Sequence, residues 1–537
     1  MSIDQKKVLE NKLWGIANLL RGRVSADDYR DYILGFIFFK YLSEKQYHYA
    51  NGLLEEEEIP DYLAVDDDES LEAIKEESIL KLGYYLRPDQ LFAKIVEKGN
   101  TEEEEEEEEH GQDYKEDDEK GNYILEDLEN IMTHIEQSTV NTESEDDFNA
   151  LFEDIDLHST KLGRTVGTRN DIVVEILNFL DGIDFMFEDT ESDILGDAYE
   201  FMIGKFAAGA GKSAGEFYTP QEVSTVLAKI VTTGKSRLRS VYDPTCGSGS
   251  LLLRVAREAT VSEFFGQELT RTTYNLARMN MILHDVHFSQ FDIQHNDTLQ
   301  YPQHLGEQFE AIVANPPFSA RWKGDASPLN ATDERFSQYG RLAPKTKADY
   351  AFLTHMYYHL ADDGIAASVF PHGVLFRGAA EGEIREYLIR ELNAIDAIIG
   401  LPANIFFGTS IPTCIVVFKK CREAGKDVVF IDASGDEHFK KEGNQNYLRD
   451  KDIDKIVTAY RERKSIPKYC AVVPVTQIAN ENQYNLNIPR YVDTFETEER
   501  IDLDEVAGLL QELDKALAAT NETIGKFCEE LGIAKPF

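Results

Sequence analysis

The tetrapeptide Asn315-Pro-Pro-Phe318 closes an apolar run, Ala311-Ile-Val-Ala314, and its residue types suit one kind of chemistry. An exocyclic amino group conjugated to a purine ring is a poor nucleophile, because its lone pair is delocalised into the ring. An acceptor on each N–H pulls that nitrogen toward tetrahedral geometry and returns the lone pair. The side-chain oxygen of Asn315 and the backbone carbonyl of Pro316 can be those two acceptors. Pro316 and Pro317 stiffen the turn so that both point the same way, and Phe318 offers a ring on which a base can stack. Alkylation of such a nitrogen is an in-line displacement in which positioning supplies much of the acceleration, and the pattern calls for no metal. A base inside a duplex is out of reach, so the mechanism requires an adenine flipped out of its stack.

A second stretch, Asp243-Pro-Thr-Cys-Gly-Ser-Gly249, follows a strand-like run and opens a helical one. Gly247 and Gly249 permit the backbone turns of a loop that hugs a ligand, with Thr245 and Ser248 beside them. Glu268 ends the next strand-like run, at about the spacing from Gly247 at which a carboxylate reaches ribose hydroxyls. Asp297 follows a third short run and can accept from an adenine amino group. A phosphate ligand would favour bare amides or a Lys. This loop starts instead with a carboxylate, Asp243, which suits the ammonium of a methionine moiety, so the expected cofactor is S-adenosylmethionine rather than NAD. Upstream, Phe217-Tyr218-Thr219-Pro is expected to cover the methionine end, the alternative being core aromatics ahead of a helix capped at Thr219. Asn315 would border the same site.

Downstream of the tetrapeptide, residues 319–347 carry Arg321, Lys323, Arg335, Arg341, Lys345 and Lys347 against three acidic residues. With Trp322, Phe336, Tyr339, Gly324 and Gly340 among them, the segment is expected to be a mobile basic loop that contacts DNA beside the target base; a plain solvated loop is the alternative. His355, His359 and His372 have no Ser or Cys partner in a defensible arrangement and read as structural.

These residues need rigid elements to hold them. From about residue 195, strand-like runs at 238–243, 263–268, 311–315, 364–370, 394–400 and 413–418 alternate with helical patterns such as 271–283 and 349–360. That alternation predicts an α/β fold with a mostly parallel, doubly wound, Rossmann-like sheet, whose ligands sit beyond the carboxyl ends of the strands. Residues 5–48 read as helices: Trp14, Ile16, Leu19 and Leu20 share a stripe, and Ser25 is a candidate cap for a second helix with a broad aromatic face from Tyr29 to Tyr41. Further helices are expected at 122–136, 146–157 and 170–182. After about 480 the chain returns to helix, with an apolar seam from Leu503 through Leu517 to Phe527 that either packs on its own protein or meets a partner. The expected domains are a helical one at 1–180, a catalytic one at 181–480 and a helical segment at 481–537.

Composition sets the outer limits. A chain of 537 residues is expected to form more than one domain. It has no apolar run long enough for a membrane span and no signal-peptide pattern at Met1. Five scattered cysteines without zinc-ligand spacing suit a reducing compartment, so the expectation is a cytoplasmic protein without a membrane partner. A net charge of −44 looks wrong for a DNA enzyme. Residues 51–150 alone, however, hold 35 acidic against 7 basic residues. The densest part, Glu102–Glu109 within an insertion at about 100–120, reads as a solvated loop, or else as a mimic of nucleic acid toward a basic partner.

Taken together, the chain resembles the methylation (modification) subunit of type I restriction–modification systems, an adenine-N6 DNA methyltransferase family. The resemblance rests on Leu13-Trp-Gly-Ile-Ala-Asn-Leu-Leu-Arg-Gly22, Tyr32-Ile-Leu-Gly-Phe-Ile-Phe-Phe-Lys-Tyr-Leu-Ser43, Phe217-Tyr-Thr-Pro220, Asp243 to Gly249, Asn315 to Phe318, Phe370-Pro-His-Gly-Val-Leu-Phe376 and Tyr484-Asn-Leu-Asn-Ile-Pro-Arg-Tyr491. It implies DNA as substrate and three partners: a second methylation subunit, a specificity subunit that reads a split DNA sequence, and a restriction subunit that translocates and cleaves. Delegated recognition would account for so acidic a DNA enzyme. The acidic run is not part of the family pattern. Rival readings are an N-methyltransferase of RNA adenine or protein glutamine, a fused nuclease–methylase, for which residues before 200 offer no signature, and a non-catalytic assembly subunit.

Overall fold

The computed structural model describes residues 3–20, 26–54, 61–101, 123–185, 194–209, 218–406, 409–420, 422–423, 425–443, 445–494 and 502–537. Three expectations, the cap at Ser25, the run Glu102–Glu109 and the role of Phe217, fall outside them. Residues 1–492 form one compact unit and Asp493–Phe537 a second. No helix among the described residues is long and apolar enough to cross a membrane.

The first unit is built on a sheet of nine strands. In chain order they are β1 (Arg237–Asp243), β2 (Thr260–Glu268), β3 (Phe291–His295), β4 (Phe309–Ala314), β5 (Leu360–Pro371), β6 (Ile395–Gly400), β7 (Thr413–Lys419) and β8 (Val428–Asp432). A separate two-stranded hairpin, β9 (Lys440–Glu442) and β10 (Gln445–Tyr447), precedes the last sheet strand, β11 (Cys470–Val473). Across the sheet the order is β3-β2-β1-β4-β5-β7-β6-β8-β11. All neighbours are parallel except β7, reversed against β5 and β6, and β11, reversed against β8. The reversal of β7 has a local cause: the described residues of the link from β6 hold no helix, and a parallel return needs a crossover. The expected mostly parallel sheet is therefore present. β8, β11 and the hairpin were not anticipated.

The N-terminal helices bury the predicted aromatic face: Tyr29, Tyr32, Ile33, Phe36, Phe39 and Tyr41 all lie in the core. They grip the sheet through the helix Arg271–Leu283, whose Asn275 donates to Asp154 at 2.8 Å, while Tyr41 donates to the carbonyl of Ile282 at 2.9 Å. One expectation fails here. The helix foreseen over 146–157 is limited to Glu145–Phe148 and continues as turns. The guanidinium of Arg278, itself buried, takes the carbonyls of Asp146, Asp147 and Asn149 at 2.9, 3.2 and 3.0 Å. Those are acceptors that a continuing helix would need, and Ala150 turns to a φ of 51°.

In the second unit, the helix Leu503–Leu531 is capped by Asp502, which accepts from Asp504 and Glu505, and ends at Gly532 with a φ of 68°. Its seam residues Leu503, Leu509, Leu510, Leu513 and Leu517 are exposed.

Candidate active site

β1 and β4 are neighbours, paired Val241 with Ala311 and Tyr242 with Ile312. β1 is also where the strand order reverses, with β2 on its other side, so a crevice opens beyond the carboxyl ends of this pair. Asp243 is the last residue of β1 and Asn315 the first beyond β4. Both line one cleft, together with Tyr218, Thr219, Thr245, Gly247 and Ser248. The two halves expected from the sequence are thus brought to one place.

The loop after β1 is held at both ends. Asp243 is buried and accepts from the Thr245 amide at 2.9 Å. Burial, with Glu268 nearby, pushes its carboxyl up to about 8. Gly247 has a φ of 56° and Gly249 one of 76°, a region that side chains disfavour. Gly249 opens the helix Ser250–Ala256 rather than lining the cleft. The Gly247 amide donates to Glu268 at 3.1 Å, and Glu268 also accepts from Thr270 at 2.9 Å, so the glycine loop is hooked to the end of β2. Asn280, buried and unremarked in the sequence, donates to the Ser248 carbonyl at 2.9 Å. Glu268, the last residue of β2, and Asp297, just past the end of β3, both lie outside the lining of the cleft. Asp297 spends one oxygen on the amides of Leu299 and Gln300, at 2.9 and 3.2 Å.

Of the tetrapeptide only Asn315 lines the cleft; Asn315 and Pro316 are buried, while Pro317 and Phe318 are half-buried. The Ala314 carbonyl accepts from Ser368 of β5 at 3.1 Å. Phe318 packs on Phe406, a residue that the sequence did not single out.

The basic segment 319–347 differs from expectation. It is folded, with short helical turns at Gly324–Ala326, Pro328–Ala331 and Glu334–Ser337, and Phe336 and Tyr339 belong to the core. Arg335 is corrected outright as a DNA contact. It is buried, and its guanidinium donates to Thr298 and Leu299 carbonyls at 2.9 and 3.0 Å and pairs with Asp333 at 2.6 Å. Arg341 pairs with Glu383 at 3.2 Å and Lys345 with Asp325 at 2.9 Å; Arg321 and Lys323 are exposed and Lys347 is half-buried. The histidines have structural surroundings. His355 bridges Tyr242 and Arg335 at 3.0 Å each, and burial holds its imidazole well below the ordinary range. Burial lowers His359 to about 4, and His372 meets the Thr413 carbonyl at 2.9 Å.

This arrangement agrees with what the chain is similar to. Residues 190–500 match the family described as N-6 DNA Methylase, and residues 9–178 match the HsdM N-terminal domain. The type I restriction enzyme MpnII methylase subunit of Mycoplasma pneumoniae is 37% identical over 519 residues, covering 93% of this chain and 92% of its own length. The MjaVIII methylase subunit of Methanocaldococcus jannaschii is 29% identical, over 98% of this chain and 86% of its own. The crystal structure of a type I restriction–modification methyltransferase subunit from Streptococcus thermophilus superposes with a TM-score of 0.80 at 42% identity, covering 91% of this chain and all of that one. With the family model matched over more than half of the chain and a 37% identical relative matched over nine-tenths of both chains, the chain belongs to the N-6 DNA methylases, among the methylase subunits of type I restriction–modification systems.

Proposed function

We propose that the cleft between the glycine loop and the Asn315–Phe318 turn is where this adenine-specific DNA methyltransferase carries out its reaction, with S-adenosylmethionine as donor. The single observation that carries this reading is that Asp243 and Asn315, at the ends of adjacent strands, line the same cleft.

The residues present fit the donor. Asp243 offers a buried carboxylate to an ammonium group, Tyr218 and Thr219 border it, and Glu268 stands at the next strand end for ribose hydroxyls, with Asp297 beyond for an adenine edge. Once bound, S-adenosylmethionine supplies a methyl group made electrophilic by its sulfonium sulfur. The chain's own residues prepare the nucleophile. The Asn315 amide oxygen and the Pro316 carbonyl accept the two N–H bonds of the flipped adenine, which restores lone-pair density to N6. Phe318 stacks on the base and fixes its plane against the turn. As N6 takes the methyl group, with the neutral thioether as leaving group, it gives up one N–H proton to water. Low exposure at Asn315 keeps these hydrogen bonds out of bulk solvent, where they are worth more.

Recognition of the DNA sequence falls to a specificity subunit, with a second methylase subunit and a restriction subunit completing the assembly. The exposed seam on Leu503–Leu531 supports a role for that helix in subunit contacts, and exposed Arg321 and Lys323 support contacts to the DNA backbone.

The test is Asn315→Ala in the full chain assembled with its specificity partner. Incubated with labelled donor and genomic DNA from a host lacking the gene, it is expected to lose methylation while still binding donor. Full activity in that variant would overturn the assigned chemistry. RNA and protein offered in parallel separate the rival substrates.

A further inference from the structure

Two segments that carry the family resemblance, Phe370–Phe376 and Tyr484–Tyr491, supply no residue to the lining of the cleft. Their contacts nevertheless lead back to it. Ser319, the residue after Phe318, has a φ of 53°, a conformation uncommon for a residue with a side chain. Its amide donates to Asp349 Oδ1 at 2.8 Å and its hydroxyl approaches Asp349 Oδ2 at 3.3 Å. Asp349 is buried at the start of the helix Asp349–His359, and its Oδ2 also accepts from Arg377 at 2.9 Å. Arg377 is held in turn by Glu381 at 2.9 Å, and it packs so closely over Gly373 that a side chain there would collide with the guanidinium. Tyr350 and Arg385 both donate to the Val374 carbonyl, at 2.8 and 3.0 Å. Arg385 also reaches the Tyr484 carbonyl at 2.7 Å, and the Leu486 amide donates to the Leu375 carbonyl at 2.8 Å.

We propose that Asp349 and Arg377 are positioning residues for methyl transfer: they clamp Ser319 and thereby set the direction of the Asn315–Phe318 turn. The segments 370–377 and 484–491 form the buttress behind that clamp. The reasoning is mechanical. The acceptor oxygens of the turn work only at a defined place relative to the donor methyl. A turn followed by a left-handed Ser will relax toward commoner backbone unless its amide is tied down. A buried carboxylate that accepts an amide and a guanidinium together is a strong tie. This inference rests on the reading of Asn315 as the group that binds the target amine.

The experiment compares Asp349→Ala, Asp349→Asn and Asn315→Ala in the assembled methylase, scoring donor binding and turnover on unmethylated genomic DNA separately. Asp349→Ala is expected to lower kcat about 10²-fold, as misplacement by about 1 Å does, with donor affinity and the fraction of donor-binding sites unchanged. Asp349→Asn keeps an acceptor for the Ser319 amide but loses the charge, so it should recover about tenfold of that loss. If Asp349→Ala does not fold, Ser319→Val tests the same clamp from the half-buried side, because a β-branched residue resists a positive φ; kcat should again fall with donor binding kept. Wild-type kcat in Asp349→Ala or Ser319→Val, with Asn315→Ala dead, overturns the clamp alone. Donor binding that falls in step with activity also overturns it, since that is the mark of a merely structural role. An active Asn315→Ala overturns the underlying reading instead.

Discussion

The rings of Phe318 and Phe406 meet edge to face, with centroids 5.6 Å apart and planes at 82°. Phe406 follows β6 and is itself strapped by the β9–β10 hairpin: Asn446 binds the carbonyls of Asn404 and Ala403 at 3.0 and 2.7 Å. The Phe318 ring, proposed above to stack on the base, therefore rests against a residue about ninety positions away. Phe406→Leu keeps most of the apolar volume and removes an aromatic pair worth about 1 kcal/mol. Turnover on DNA should drop about fivefold, with donor affinity unaltered in equilibrium binding. Unchanged turnover would mean that Phe318 needs no such support.

Asp243 predicts a pH dependence with two opposite signs. In the free protein its carboxyl is raised by burial from an ordinary 3.8 to about 8. An ammonium placed beside it favours the ionised form, so donor binding below pH 8 should expel a proton. Affinity should rise with pH between roughly 6 and 8, by up to about tenfold per unit. Calorimetric titrations in buffers of different ionisation heat would read the proton directly, and Asp243→Asn should abolish both slope and release. Stability of the unliganded chain runs the other way. A folded pKa above the unfolded one contributes fully below about pH 4, and the contribution is lost as pH rises through 8.

Arg335 and Arg321 are both cationic residues in one segment, yet they should fail differently. Arg335→Ala leaves the Thr298 and Leu299 carbonyls and Asp333 without their partner, so unfolding stability should fall by about 3 kcal/mol. Arg321→Ala should leave thermal denaturation alone, weaken DNA binding and flatten its salt dependence by about one unit of slope. A salt series on both variants, beside melting curves, distinguishes them. Equal melting temperatures would contradict the burial of Arg335.

Leu513 and Leu517 lie one turn apart on the exposed seam of the terminal helix. Replacing both with Asp should leave donor binding as in the unaltered chain and prevent co-elution with a specificity subunit in size-exclusion chromatography. Co-elution with normal stoichiometry would remove that seam from the assembly.

Much of this site was legible because its residues sit at places that the fold class itself makes special. Asp243 and Asn315 each end a short apolar strand, and sheets of this kind collect ligands there whatever the details of packing. The helices Arg271–Leu283 and Asp349–His359 were legible from their periodicity. What stayed hidden depended on distant partners. The helix foreseen over 146–157 stops because Arg278, more than a hundred residues on, takes its carbonyls. Arg335 looked like a DNA contact because charge suggests exposure, and nothing local announces that Asp333, His355 and two carbonyls surround it. Phe406 and Asp349 carry no motif of their own; only the folded chain brings them to the Asn315–Phe318 turn.

The excursion between the turn and the helix Asp349–His359 is closed at its neck. Ala348 donates to the Ala320 carbonyl at 2.9 Å beside the Ser319–Asp349 bond, and Trp322 binds the Lys345 carbonyl at 3.0 Å. A chain whose ends are already joined adds little closure entropy when residues are added to its middle. Residues added at the exposed positions of that stretch, away from buried Arg335, Phe336 and Tyr339, should therefore leave the Asn315–Phe318 turn in place.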